Sequence, residues 1–166
     1  MALSWGDQPS VGGAMGVELS HEFTFWAQLN PAVDVGPGPL GQRLCFEVVG
    51  GEVTGERLKG EVLSGGGDWI LVGADGYGRI DVRLQFKTFD GASIFVQYFG
   101  LLEINEVVAS ALATGGGTRY EDQYFRTAPR LETGDPRYSW VNRSTFVARG
   151  HAVEGGRVEY EVHRVL

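Results

Sequence analysis

Glycine occupies 26 of the 166 positions, about 16% against an average near 7%. The hydrophobic fraction is an ordinary 43%, so the chain is neither collagen-like nor disordered. Glycine at that density in a normally hydrophobic chain implies many tight turns, and hence short β-strands. A chain this long buries roughly 70% of its unfolded surface as one domain, without needing a metal or disulfide. Cys45 is the single cysteine, which rules out an internal disulfide and multi-cysteine metal sites.

Alternation of apolar and polar residues places strands over Val17 to Leu29, Arg43 to Val49, Leu58 to Leu63 and Asp68 to Val72. Asn30 to Gln42, with Pro31, Pro37 and Pro39, reads as a loop, and Gly50-Gly51 as a strand break. Ile80 to Thr88 and Ser93 to Leu101 flank Asp90-Gly91, the pair expected at a two-residue hairpin turn. That register sets Phe89 opposite Ala92 and Arg83 opposite Tyr98. One face then carries Val82, Leu84, Phe86, Phe95, Gln97 and Phe99. Asp81, Arg83, Ile94, Val96 and Tyr98 share the other, and a one-residue slip would invert the assignment. Glu103 to Thr114 has helical spacing at Ile104, Val107, Val108, Ala111 and Leu112, ended by Gly115-Gly116-Gly117. Strands follow at Tyr120 to Ala128, Ser144 to Ala148 and Arg157 to Val165, and Asp135-Pro136 starts a short helical turn.

Many short strands with one helix make the expected fold mainly β: an antiparallel β-barrel of lipocalin-like appearance, with one α-helix packed against it. A sandwich is the competitor. Residues 1–16 read as a flexible arm and 17–166 as the barrel domain. Closure removes exposed strand edges, and a barrel of about eight strands either packs solid or holds one small ligand.

Fourteen basic against twenty-one acidic residues give a net charge of −7. This argues against nucleic-acid and anionic-membrane partners, which need a basic face. No apolar run approaches the ~20 residues of a membrane span. The start lacks a basic region followed by an apolar one, so the expected location is cytoplasmic. There is no phosphate-loop motif and no nucleophile elbow, and Gly73, Gly76 and Gly78 open no helix. His21, His151 and His163 are too scattered for a helical metal motif. No cofactor and no metal are expected.

Phe125-Arg126-Thr127-Ala128-Pro129-Arg130-Leu131-Glu132-Thr133-Gly134-Asp135-Pro136-Arg137-Tyr138-Ser139-Trp140-Val141-Asn142 resembles the signature stretch of the DUF3237 family of UPF0311-like proteins. Gly50-Gly51, Gly66-Gly67-Asp68-Trp69 and the Asp90-Gly91 hairpin extend the resemblance over Val17 to Val165. Leu131 stands where the family usually has an aromatic residue, and Val141 where it has leucine. Gln97 and Phe99 replace commoner polar or basic residues, which suggests a more apolar pocket or a different ligand. The resemblance implies a β-barrel with one helix packed on it and carries no activity with it.

Polar groups inside a small barrel cost about 1–3 kcal/mol each when unsatisfied, so those retained are candidates for function. The expected catalytic set is Asp68 or Glu132 moving a proton, with Arg83 and Tyr98 holding an oxygen. Trp69, Arg126, Trp140, Asn142, Gln97 and Phe99 are the expected ligand-binding residues. Structural roles stand beside these: Asp68 as a turn cap, Arg83 as an ion-pair partner of Asp81 or Glu132, Glu132 to Asp135 as rigid turn chemistry, and Trp140 as core. The leading functional expectation is a metal-free acid/base enzyme of isomerase, cyclase or lyase type acting on a flat, oxygenated, partly apolar metabolite. A non-catalytic carrier or sensor, and an interaction subunit with a solid barrel, are the alternatives. A homodimer is expected in each case.

Overall fold

Period-two alternation is strict where strands are longest. In β6 (Tyr77–Thr88), Ile80, Val82, Leu84 and Phe86 are buried, while Asp81, Arg83, Gln85 and Lys87 face outward. The computed structural model describes residues 16–166. The expected arm lies, but for its last residue, outside them.

Among the described residues there are ten strands and one α-helix. The other strands are β1 (Leu19–Leu29), β2 (Val33–Gly38), β3 (Gly41–Gly55), β4 (Gly60–Val62), β5 (Gly66–Val72), β7 (Ser93–Glu103), β8 (Phe125–Glu132), β9 (Phe146–Val153) and β10 (Arg157–Val165). All pairings are antiparallel. The order runs β1-β10-β9-β8-β7-β6, then through β4 and β5 to β3, and β3 pairs back onto β1. That last pairing closes an eight-stranded barrel, with β4 and β5 successively filling one place between β3 and β6.

Several sequence-based expectations change, and the strand expected over Tyr120 to Ala128 lies instead at Phe125–Glu132, as β8. Asn30 to Gln42 is not all loop: β2 pairs the start of β3 as a projecting ribbon, and its exposed edge tolerates Pro37. Gly50-Gly51 does not break a strand. β3 continues through both glycines, leaving β5 to pair with β4 and β1. The Asp90-Gly91 hairpin has three loop residues rather than two. Lys87 pairs with Ser93, Thr88 N donates to Ala92 O at 2.9 Å, and only Gly91 has positive φ, at 97°. Asp90 instead accepts hydrogen bonds from Thr88 Oγ1 (2.6 Å) and Tyr138 Oη (2.9 Å). The register therefore slips by one. Arg83 faces Gln97, Val82 faces Tyr98, and Ile94, Val96 and Tyr98 turn inward.

The barrel interior is packed around aromatic rings. Phe25 stacks on Tyr160 with centroids 5.0 Å apart and meets Phe86 edge-on at 5.2 Å. Phe23 and Phe146 extend this cluster toward the hairpin end. The opposite end is less covered: Leu29, Leu44, Phe46, Val72 and Ile104 are only partly buried.

The helix α1 spans Glu106–Thr114, starting later than its apolar spacing suggests because Glu103 still pairs with Tyr77 in the sheet. Asn105 caps it: Oδ1 accepts from Val108 N at 3.0 Å, while Nδ2 donates to Asp122 O at 2.8 Å. Gly115 ends it in the left-handed conformation. Asn105→Ala is expected to lower stability by about 0.5–2 kcal/mol, the range for a lost N-cap. A urea midpoint equal to that of the unsubstituted protein would show that the cap does not hold this helix. No described helix is long and apolar enough to cross a membrane.

Candidate functional site

Inner-face alternation in β5 gives Gly66, Asp68 and Ile70 to the barrel interior and Gly67, Trp69 and Leu71 to the outside. Two glycines make the local packing possible. A Cβ on Gly66 would stand 2.8 Å from Leu84 Cβ, and one on Gly67 would stand 2.6 Å from the Trp69 ring. Trp69 thus folds back over Gly67 on the outer wall, and Asp68 is left facing hydrocarbon.

Asp68 is 5% exposed, and its Oδ1 has no hydrogen-bond partner within the protein. Burial, reinforced by the negative charge of Asp81, pushes its carboxyl up to about 7. Across the ladders, Asp68 pairs with Val82, and Val82 pairs with Tyr98. Tyr98 is fully buried and meets Tyr160 edge to face, centroids 5.2 Å apart. Burial first, then the Asp68 charge, raises the Tyr98 phenol well above its ordinary value. Tyr160 is shifted the same way by burial, by Tyr98 and by Asp68. Its hydroxyl has the Tyr98 hydroxyl beside it, and the buried Oγ1 of Thr127 has no hydrogen-bond partner.

The interior thus holds one carboxyl poised near neutrality and two phenols that remain protonated donors. A carboxyl of this kind can give a proton to, or take one from, a bound oxygenated molecule, and phenol donors can hold an oxygen on which charge develops. Phe46, the ladder partner of Asp68 on β3, is half-buried and belongs to the less covered end of the barrel.

Asp68 and Tyr98 are the two expected site residues that the fold brings together inside. Arg83 lies on the outer wall, with Nη1 3.1 Å from Asp81 Oδ1 and its guanidinium 5.8 Å from the Trp69 ring centroid. Gln97 and Phe99 pair with Arg83 and Asp81 and share that outer face, a consequence of the hairpin slip. Glu132 is exposed and bonded to Arg130 at 2.9 Å. Arg126 is also external, beside Tyr124. Trp140 closes the hairpin end, edge-on to Phe146 and 3.8 Å beneath the Arg57 guanidinium. Asn142 clamps the turn after β8: Oδ1 accepts from Thr133 N and Nδ2 donates to Thr133 O, both at 2.8 Å. Tyr160 and Thr127 were not among the expected residues. The signal for Tyr160 was one polar-tipped ring between Val158 and Val162 on an otherwise aliphatic strand face. Among the described residues, no group of three or more His, Cys, Asp or Glu side chains is placed to hold a metal ion.

Comparison with known proteins agrees with this architecture. The family model described as protein of unknown function DUF3237 matches residues 17–165. A UPF0311 protein of Rhodopseudomonas palustris is 32% identical over 150 residues, covering 90% of this chain and 97% of the relative. Its crystal structure superposes with a TM-score of 0.81, covering 91% and 99% of the two chains at 31% identity. A β-barrel-like protein of Acinetobacter baumannii gives a TM-score of 0.76 at 28% identity, covering 93% and 99%. A Penicillium roqueforti protein named PR-toxin biosynthesis cluster protein 7 is 29% identical over 102 residues, 57% of this chain and 53% of that protein.

Proposed function

The chain belongs to the DUF3237 family, and on that footing we propose that it is a small-molecule-binding barrel that performs metal-free acid/base chemistry. The substrate is a flat, oxygenated, partly apolar metabolite, and the reaction is an isomerisation, cyclisation or elimination. Asp68 moves the proton, while Tyr98 and Tyr160 hold the substrate oxygen.

The observation that carries this reading is Asp68 itself: a buried carboxyl near pKa 7 with an unpartnered oxygen, close enough to two buried phenols for its charge to act on both. Such a group is costly to keep inside hydrocarbon, and a pKa near the working pH is what a general acid or base requires. The resemblance to a fungal biosynthesis-cluster protein supports small-molecule work. Glu132 and Arg83, external and ion-paired, have structural roles in this reading.

The test is solvent-deuterium exchange into a panel of enolisable aromatic ketones, followed by NMR at pH 5 to 9. Exchange is expected to inflect near pH 7, to fall in Asp68→Asn and to persist in Glu132→Gln. Exchange that survives Asp68→Asn unchanged would remove Asp68 from the mechanism. A compound bound tightly but recovered without exchange from both proteins would favour the carrier.

A further inference from the structure

Pairing between β8 and β9 is confined to two residue pairs, Arg126 with Arg149 and Thr127 with Ala148. Pro129, with no N–H to donate, follows two residues later. Over this short seam the outer wall carries a groove of about 750 Å³, within the range of small-molecule sites. Leu19, Phe99, Leu101 and Tyr124 line it and are 51%, 56%, 40% and 49% exposed. That is a concentration of large apolar side chains on one face of a soluble-composition surface, and such patches mark binding sites.

The groove also holds two arginines in different states. Arg149 Nε donates to Glu161 Oε2 at 2.7 Å, so its charge is matched locally. Arg126 makes no ion pair among the described residues. Its Nη1 donates only to the Phe125 carbonyl at 2.9 Å, and its guanidinium lies 5.2 Å from the Tyr124 ring centroid. The rest of its planar donor fork is open to a carboxylate, which guanidinium binds with two parallel hydrogen bonds. His163, at the far side, is lowered from its ordinary value by burial and by His21. One unmatched cation among aromatic walls, on a chain of net charge −7, selects an anion with an apolar body.

We propose that this outer groove binds aromatic carboxylates, with the carboxylate on Arg126 and the ring between Phe99 and Tyr124. The site lies on the opposite face of the wall from Asp68, so it does not rest on the acid/base reading.

The probe is 2-naphthoate, titrated calorimetrically into the full chain, with 2-naphthamide as its uncharged counterpart. Saturable binding is expected, weakened by added salt. Arg126→Met is expected to weaken naphthoate by about tenfold or more, the loss of a charge-assisted hydrogen-bonded pair, and to leave naphthamide unchanged. Arg126→Lys, which keeps the charge but not the fork, should fall between and serves if the methionine variant misfolds. Asp68→Asn should bind naphthoate as the unsubstituted protein does. The proposal is overturned if naphthoate fails to saturate into the millimolar range, or if the Arg126 variants bind it equally well. Loss of binding in Asp68→Asn would overturn it too, by moving the probe into the barrel. Light scattering that shows a dimer split by Phe99→Glu, with no naphthoate binding, would assign the face to a second copy instead.

Discussion

Replacing Asp68 by asparagine is expected to cut proton exchange into a substrate by about 10²–10⁴, the usual contribution of a positioned acid or base, while making the fold more stable at pH 8. The stability half follows from linkage. Burial and Asp81 raise the Asp68 carboxyl from 3.8 to about 7. Below pH 4 both folded and unfolded chains carry the proton, and the group contributes nothing. Between about pH 4 and 7 the unfolded chain has lost the proton and the folded chain retains it, so stability falls as pH rises. Above pH 7 both are ionised and the full penalty stands, on the order of 4 kcal/mol at 1.36 kcal/mol per unit. Asparagine is neutral throughout and similar in shape. Asp68→Asn should therefore match the unsubstituted protein at pH 4 and exceed it by up to about that amount at pH 8. The surface carboxylates Asp75, Asp122 and Asp135, the last two half-buried, are lowered by Arg79, Arg119 and Arg137 respectively. They act in the opposite sense, lending stability above pH 4 that is lost on acidification, and they cancel in the difference between the two proteins. Urea unfolding of both from pH 4 to 9 measures it. A difference that stays flat with pH would mean that Asp68 is not held protonated. Lost turnover together with gained stability is the mark of a residue kept for chemistry rather than for the fold.

Much of the barrel was legible because the signals are local. The inward residues of β6, the strand at Arg157–Val165 and the Asp135-capped turn at Pro136–Tyr138 follow from alternation and cap chemistry within a few residues. The hairpin register was not legible. Asp-Gly suits both a two-residue turn and a three-residue loop whose glycine alone is left-handed. The long-range contacts of Asp90 with Tyr138 and Arg137 accompany the second geometry, and no window around the turn contains them. That one-residue slip decided which site residues could meet: it carried Tyr98 inside and left Gln97 and Phe99 outside. Asp68 was legible as a candidate because an acid after two glycines is conspicuous. Its companion Tyr160 was not, since the contact joins β7 and β10, which are not neighbours in the sheet.

The second large effect is expected at Gly51, where the barrel closes. Gly51 pairs with Ala27 of β1 on one side and Val62 of β4 on the other. A Cβ there would stand 2.0 Å from Trp26 O, 3.0 Å from Trp26 C and 3.1 Å from Ala27 Cα, and the backbone φ is +153°. All three neighbours are main-chain atoms, so no rotamer change relieves the clash; β1 and β3 must move apart. The ladder between them runs from Phe23–Gly55 to Gln28–Gly50, with Leu29–Val48 beyond an irregularity. Widening it disturbs the hydrogen bonds that leave the sheet without open edges, and it loosens Phe25 and Ala27, which pack inward from the same stretch. Overpacking alone costs about 1–3 kcal/mol, and added backbone strain of about 1–3 kcal/mol brings the expected loss for Gly51→Ala to about 3 kcal/mol or more. At roughly 2–4 °C per kcal/mol for a chain of this size, the melting temperature should drop by about 10 °C. Gly134→Ala is the matched control. Nothing lies within 4 Å of its Cβ position and its φ is unexceptional, so it should stay within about 0.5 kcal/mol of the unsubstituted protein or gain slightly. Equal melting temperatures for the two variants would show that the close approach of β3 to Trp26 is not what holds the barrel shut.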